Sequence, residues 1–161
     1  MKILGIDPGL ERIGWAVVEK RGSKLTALGY GLIQTPRVEI GERLKIAHRE
    51  ACALLEEHNP DCVATERLFF AKNQTTAMDV AKALGVVMLA ASQHGLECCE
   101  YSPPEIKQSV VGNGAAEKKQ VQFMVTKLLG LKETPKPDDV ADALAVAITH
   151  ALRAPLSTIK S

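Results

Sequence analysis

A short apolar run that ends in a carboxylate constrains this chain more than any other feature. Ile3-Leu4-Gly5-Ile6 runs directly into Asp7, and Pro8-Gly9 follows at once. Pro and Gly punctuate the chain there, and a β-branched run with Trp15 returns over Arg12–Val18, so the stretch predicts a β-hairpin. A carboxylate at the end of an apolar strand needs a proton, a cation or a metal, because burying it unpaired costs several kcal/mol. Taken alone, Asp7 reads equally well as a solvated turn residue before Pro-Gly. The rest of the chain must decide.

Leu25–Thr35 reads as a third strand, its glycines allowing twist or close packing, and Pro36 closes it. From about Gly41 to His58 the period becomes helical: Ile40, Leu44, Ala47, Ala51, Leu54 and Leu55 share one stripe, and Asn59-Pro60 stops it. His48 and His58 read as surface helix residues, since neither has a partner at metal-binding spacing. Asp61–Glu66 is a short buried strand that again ends in an acid. A loop over Arg67–Lys72 leads to a long helix over 74–93 and a fifth strand over 96–101. Helices follow over 104–111 and 117–129, and a last one runs from Asp138 or Asp139 to Arg153. Three strands in succession, then strands alternating with helices, predict an α/β fold: a mixed five-stranded sheet, antiparallel then parallel, with helices on its faces.

At 161 residues with 46% hydrophobic content, the chain reads as one domain over 1–154 with a short flexible tail over 155–161. A net charge of +1 gives no bulk argument for a nucleic-acid partner, so any such case rests on local clustering. Cys52, Cys62, Cys98 and Cys99 form no CxxC pair. They read as buried free thiols in a reducing compartment rather than as a zinc site or a disulfide framework. Asp7 and Pro8 interrupt any signal-peptide core, and the apolar stretch Val80–Ser92 is too short to span a bilayer. A cytoplasmic protein with no membrane association is the expectation.

Asp138, Asp139 and Asp142 open the last helix. Acids in a first turn are favoured by the helix dipole and by capping, and that suffices for Asp138. Asp139 and Asp142 are i, i+3 neighbours on one face, while Val140, Leu144, Ala147, Ile148 and Ala151 form a separate stripe able to bury against the sheet. Parallel strands ~4.8 Å apart would also set Asp7 beside Glu66. Four acids from three elements repel one another unless divalent cations sit among them. All-oxygen donors without His or Cys favour Mg²⁺ or Mn²⁺ over zinc. Two such ions ~4 Å apart suit in-line attack on a phosphodiester, one lowering the pKa of the attacking water and the other stabilising the leaving oxygen.

The residues that carry a family likeness are now all in view. Gly5-Ile-Asp-Pro-Gly9 with Gly14-Trp15, Thr65-Glu66, and Phe69 with Ala71-Lys-Asn73 resemble the RuvC family of Holliday-junction resolvases. So do Lys107 with Val111-Gly-Asn-Gly114, Ala116-Glu-Lys118 with Gln120-Val121, and Ala141-Asp-Ala-Leu144. Each motif is weak alone; together, in family order over residues 3 to about 150, they are specific. The resemblance implies a ribonuclease-H-like fold. It also implies a homodimer that cuts two opposed strands of a four-way DNA junction in recombination and repair, leaving 5′-phosphate and 3′-hydroxyl ends. Asp7, Glu66, Asp139 and Asp142 match the family's catalytic, metal-binding acids, with Mg²⁺ as cofactor, Mn²⁺ able to substitute, and two ions per site. The family's branch-migration helicase proteins, RuvA and RuvB, are the implied partners.

The stretch Pro103–Pro137 is locally basic, and lysine charges neutralise phosphates with little sequence information. By the resemblance, Lys107 and Lys118 contact DNA, Lys119 is their neighbour, and Asn113 sits in a Gly-Asn-Gly loop that can approach a backbone closely. Phe69 is the aromatic that wedges at the junction's exchange point, where unstacked bases accept it. Phe70 reads as its core-packing alternative, and Lys72 and Asn73 as loop supports or phosphate contacts. Small residues Ala77, Ala81, Ala83 and Gly85, with Met88, make the long helix the candidate dimer interface. Competing readings are a related nuclease acting on RNA or hybrids and a catalytically silent junction binder. A sugar-kinase or actin-like ATPase would need two such domains.

Overall fold

The computed structural model describes residues 1–69 and 74–154, the side chains of Gln74 and Thr75 aside. The expected tail over 155–161, and Phe70, Lys72 and Asn73, lie outside the described residues.

Strands β1 (Lys2–Asp7), β2 (Arg12–Arg21) and β3 (Lys24–Gln34) form the antiparallel meander. Strand β4 (Cys62–Glu66) then pairs parallel to β1, and β5 (Cys98–Tyr101) parallel to β4, giving the order β3-β2-β1-β4-β5. The helices are α1 (Ile40–His58), α2 (Gln74–Gln93), α3 (Pro103–Val111), α4 (Lys118–Leu128) and α5 (Asp138–Arg153). This is the mixed sheet that the pattern of periods implied, and it accords with the ribonuclease-H-like fold that the family resemblance implied.

Local chemistry explains where the helices start and stop. Asn59 takes a left-handed conformation (φ 46°) and closes α1 by donating to the Leu55 carbonyl. At the start of α3, Glu105 reaches back to the Ser102 N–H (2.8 Å), and at α4 Gln120 reaches the Glu117 N–H (2.8 Å).

Alternation along the strands divides the core in two. On one face Leu4, Ile6, Val17 and Val63 pack with Ala47, Ala51 and Leu55 of α1 and Ala83, Val87 and Ala91 of α2. On the other, Ile3, Ala16, Val18, Cys62 and Ala64 pack beneath α5, which α3 and α4 cover in turn. The apolar stripe expected on α5 is buried, and burial extends well beyond it. Every residue from Val140 to Ala151 except Asp142 is buried, because the helix lies between the sheet and a second helical layer. Tyr101 Oη and His150 Nδ1 lie 2.9 Å apart and tie β5 to this helix.

Two further expectations need correction. His58 is not a surface residue: its ring lies 5.5 Å from that of Trp15, with the side chain only 16% exposed. Of the cysteines only Cys62 is fully buried, the other three being half-buried, although all four are free thiols. Burial pushes the Cys62 thiol up to about 12 and Cys98 up to about 11, so neither is a thiolate near neutral pH.

Candidate active site

The four acids come together through strand parity and one very close helix–sheet contact. Ile3 and Gly5 face α5, so Asp7, two residues further on, faces it too; Cys62 and Ala64 place Glu66 on that face by the same alternation. Ile6 stands opposite Thr65 in the parallel pair, so Asp7 and Glu66 follow as the next residues of adjacent strands. Helix α5 then approaches where two strand residues lack a Cβ. A Cβ on Gly5 would fall 2.2 Å from the Ala143 carbonyl oxygen, and one on Gly14 would fall 2.0 Å from that of Asp139. Any side chain at either position would hold α5 away from the sheet. The glycines let Asp139 and Asp142 reach Asp7.

Electrostatics record that convergence. The Asp7 carboxyl is pushed up from 3.8 to about 8, first by burial and then by the charges of Asp142, Glu66 and Asp139, with Lys118 opposing. Glu66 is raised by burial and by Asp142, with Lys118 and Lys107 pulling it down. Burial also raises Asp142, although Lys118 donates to its Oδ2 at 2.9 Å. Burial would lower Lys118, but its hydrogen bonds to Asp142 and Asp138 win and raise it. Asp139 Oδ2 is buried and accepts no hydrogen bond, and its nearest cation is Arg12 Nη2 at 3.3 Å.

Asp138 is different. It is exposed, pairs with Lys118 (3.3 Å) and accepts from Gln122 (3.1 Å), and these contacts, Lys118 first, hold its carboxyl below the usual range. It stands in the first turn of α5 outside the cluster, whereas Asp139 turns inward.

These donors fit hard divalent cations. They are oxygen ligands only, they repel one another as they stand, and one buried oxygen lacks any donor. Among the described residues, no three His, Cys, Asp or Glu side chains stand close enough to chelate an ion as placed. The Lys118 ammonium stands between Asp142 and Asp138, at 2.9 and 3.3 Å.

The expected DNA-contact residues fall around this cluster. Lys107 and Lys118 line a cavity of about 250 Å³ with Glu66 and Asp142, roofed by Ile106 and Val121. Lys119 is exposed one position further along α4. Asn113 is exposed too, but its side chain is engaged: Oδ1 accepts from the Ala115 N–H (3.0 Å) and shapes the loop. Phe69 is 59% exposed just beyond β4. Sequence reading gave no role to Arg12, although a charge opening a strand immediately after the Asp7 turn is a signal. The contact role of Gly5 and Gly14 left no signal beyond their being glycine.

On the dimer candidate, Ala83 is fully buried in the core and leaves the proposed face. The exposed stripe of α2 is instead Met78 (57%), Ala81, Gly85 and Leu89 (53%).

The family model described as crossover junction endodeoxyribonuclease RuvC matches residues 3–150. A protein of that name from Halothermothrix orenii is 52% identical over 151 residues, 93% of this chain and 92% of the relative. The Thermus thermophilus RuvC structure superposes with a TM-score of 0.89 at 39% identity, covering 98% of both chains. The same protein in complex with Holliday junction substrate gives 0.92 at 39% identity, covering 98% of this chain and 97% of that one. No described helix is long and apolar enough to cross a membrane. The acids, their order along the chain and the topology that gathers them agree with these matches: the chain belongs to the RuvC family of crossover junction endodeoxyribonucleases.

Proposed function

We propose that residues 1–154 form a single nuclease domain in which Asp7, Glu66, Asp139 and Asp142 hold two Mg²⁺ ions, replaceable by Mn²⁺, and that the enzyme nicks two opposed strands of a four-way DNA junction. The observation that carries this reading is Asp7, whose carboxyl is forced up to about 8 inside a cluster of acids and is relieved by a cation. Bound ions would supply Lewis acidity to the attacking water and to the leaving 3′ oxygen. The chain's own residues do the rest. Asp7 and Glu66 hold fixed positions at the ends of adjacent strands, and Asp139 and Asp142 close over them from α5. Lys107 and Lys118 neutralise phosphate charge beside the acids, with Lys119 as an outer contact. Phe69, with its ring in solvent, is suited to stack on an unpaired base at the exchange point. Asn113 orders its own Gly-Asn-Gly loop through the Ala115 N–H, and Lys72 and Asn73, outside the described residues, are assigned to DNA contact on the family resemblance alone. The junction-bound Thermus relative supports the choice of substrate.

Paired cuts call for two sites related by a two-fold axis. The exposed Met78–Gly85–Leu89 stripe of α2 is a self-complementary surface for such a homodimer. Family membership supports RuvA and RuvB as the proposed partners and the cytoplasm as the proposed location. The test is a nicking assay on a synthetic four-way junction, with and without Mg²⁺. Wild type should make two symmetric nicks that ligase can seal. Asp7→Asn should bind the junction and leave it whole; cleavage by that variant at the wild-type rate rejects the assignment.

A further inference from the structure

A second cavity, of about 520 Å³, lies against Asp139, between the β1–β2 turn and the facing ends of α1 and α2. Its lining includes Glu11, Arg12, Arg43, Asp79 and Asp139. Each acid there already has a cation: Arg37 lies 3.5 Å from Glu11, Lys82 lies 2.9 Å from Asp79, and Arg12 lies 3.3 Å from Asp139. Arg43 is the remaining charge, and among the described residues it has no carboxylate partner. Its Nε donates to Thr35 Oγ1 at 3.0 Å, and that hydroxyl in turn donates to the Leu10 carbonyl of the turn after Asp7. Its Nη2 is buried and makes no hydrogen bond. A guanidinium N–H withdrawn from water with nothing to bond is costly. Arg43 is thus fastened by one edge to the active-site turn while the other edge is left without an acceptor.

We propose that this cavity is a phosphodiester subsite for the strand being cut, with Arg43 as its anion-binding residue and Arg12 beside it. The inference rests on the junction-cleaving reading above. The two cavities flank the same four acids: Lys107 and Lys118 line one with Glu66 and Asp142, while Arg12 and Arg43 line the other with Asp139. A strand crossing the acids would be held by its phosphates on both sides of the scissile bond, so that bond is stretched across the carboxylates rather than hung from one end. The forked guanidinium suits this task, because it can bond two oxygens of one phosphate.

The test is a charge-neutralisation scan. Junctions carrying one neutral methylphosphonate at a time along the cut strand are compared in single-turnover cleavage by wild type and by Arg43→Gln. In wild type, neutralising the phosphate that Arg43 holds should slow cleavage roughly 10-fold or more. In Arg43→Gln that penalty should vanish at one phosphate adjacent to the cut and persist at the phosphates facing Lys107 and Lys118. Identical penalty profiles for the two proteins overturn the proposal. If Arg43→Gln does not fold, Arg43→Lys, which keeps the charge and loses the fork, is read in the same scan. A smaller penalty confined to that phosphate supports the subsite, and an unchanged profile rejects it. A wild-type protein that leaves the unmodified junction uncut rejects the proposed function itself, a different outcome from one that cuts but is indifferent to Arg43.

Discussion

Replacing Asp7 with Asn tests the acid cluster through stability instead of activity. Burial, then Asp142, Glu66 and Asp139, raise the Asp7 carboxyl from 3.8 to about 8. Because the folded value lies above the unfolded one, the folded protein keeps a proton that the unfolded chain releases. That contribution is complete below pH ~4 and is lost as the pH climbs through about 8. At ~1.4 kcal/mol per pKa unit, the rise from 3.8 to about 8 sets a ceiling of about 6 kcal/mol on the loss. Glu66 and Asp142 titrate against the same charge and share the relief, so one neutral side chain should recover about 2–3 kcal/mol at pH 8. For a domain of this size that is an increase in Tm of roughly 5–10 °C. The assay is thermal unfolding of both proteins in chelator from pH 4.5 to 8.5. The curves should nearly coincide at the acid end and separate steadily towards pH 8. Added Mg²⁺ should then raise the wild type far more than the variant, since only the wild type keeps the full ligand set. A stability difference that ignores pH, or an Asn variant less stable than wild type at pH 8, refutes the reasoning.

Two substitutions probe how the acids are placed. Gly14→Ala puts a Cβ 2.0 Å from the Asp139 carbonyl oxygen, a backbone atom that can yield only if α5 moves. It should cost about 1–3 kcal/mol in urea unfolding and depress single-turnover cleavage at saturating junction; an unchanged cleavage rate would show that the contact does not set the acids. Asp139→Asn should abolish cleavage while Asp138→Asn retains it, because Asp138 is exposed and engaged with Lys118 and Gln122. Loss of cleavage in the Asp138 variant alone would reverse the register.

Strand order and helix count were legible because period-2 and period-3.6 runs alternate cleanly, and the long helix over 74–93 coincides with α2. What periodicity could not supply was which face has a second layer. The spacing predicts one apolar stripe on α5, yet Ala141, Ala143, Ala145 and Val146, which lie off it, are buried too. That composition marks a helix buried on every side. His58 was misread for a related reason. It lies at the end of a helix with polar neighbours, and Trp15 and the Gly29 backbone, from strands distant in sequence, cover it. Ala83 looked like a dimer contact because a small residue fits a close intramolecular contact as well as an intermolecular one. The acids were legible as types at strand ends. Of their neighbours, Arg12 left only its place at the start of a strand after the Asp7 turn, and Arg43, a lone arginine in a first helical turn, left no periodic signal.

The position of α5 explains why one cluster of acids can be both crowded and stable. Its first turn must bring two acids to two strand-end acids, an arrangement that repels itself by several kcal/mol. The opposing contribution comes from further along the same helix. Val140, Leu144 and Ile148 are all but fully buried, at about 2 kcal/mol each, and the alanines between them touch the sheet closely. Gly5 and Gly14 then fix how near that helix lies, so the approach of the acids is set by backbone packing and not by side-chain reach. Cations arrive from around this rigid pair, Lys107 from α3, Lys118 from α4 and Arg12 from the first residue of β2. Acids are therefore held by the core, while their cation partners stand on its rim, more than half of the Arg12 and Lys118 side chains being exposed. Under the function proposed above, a substrate strand would displace Lys118 and Arg12 from the carboxylates and draw them onto its own phosphates without disturbing the helix that positions the acids.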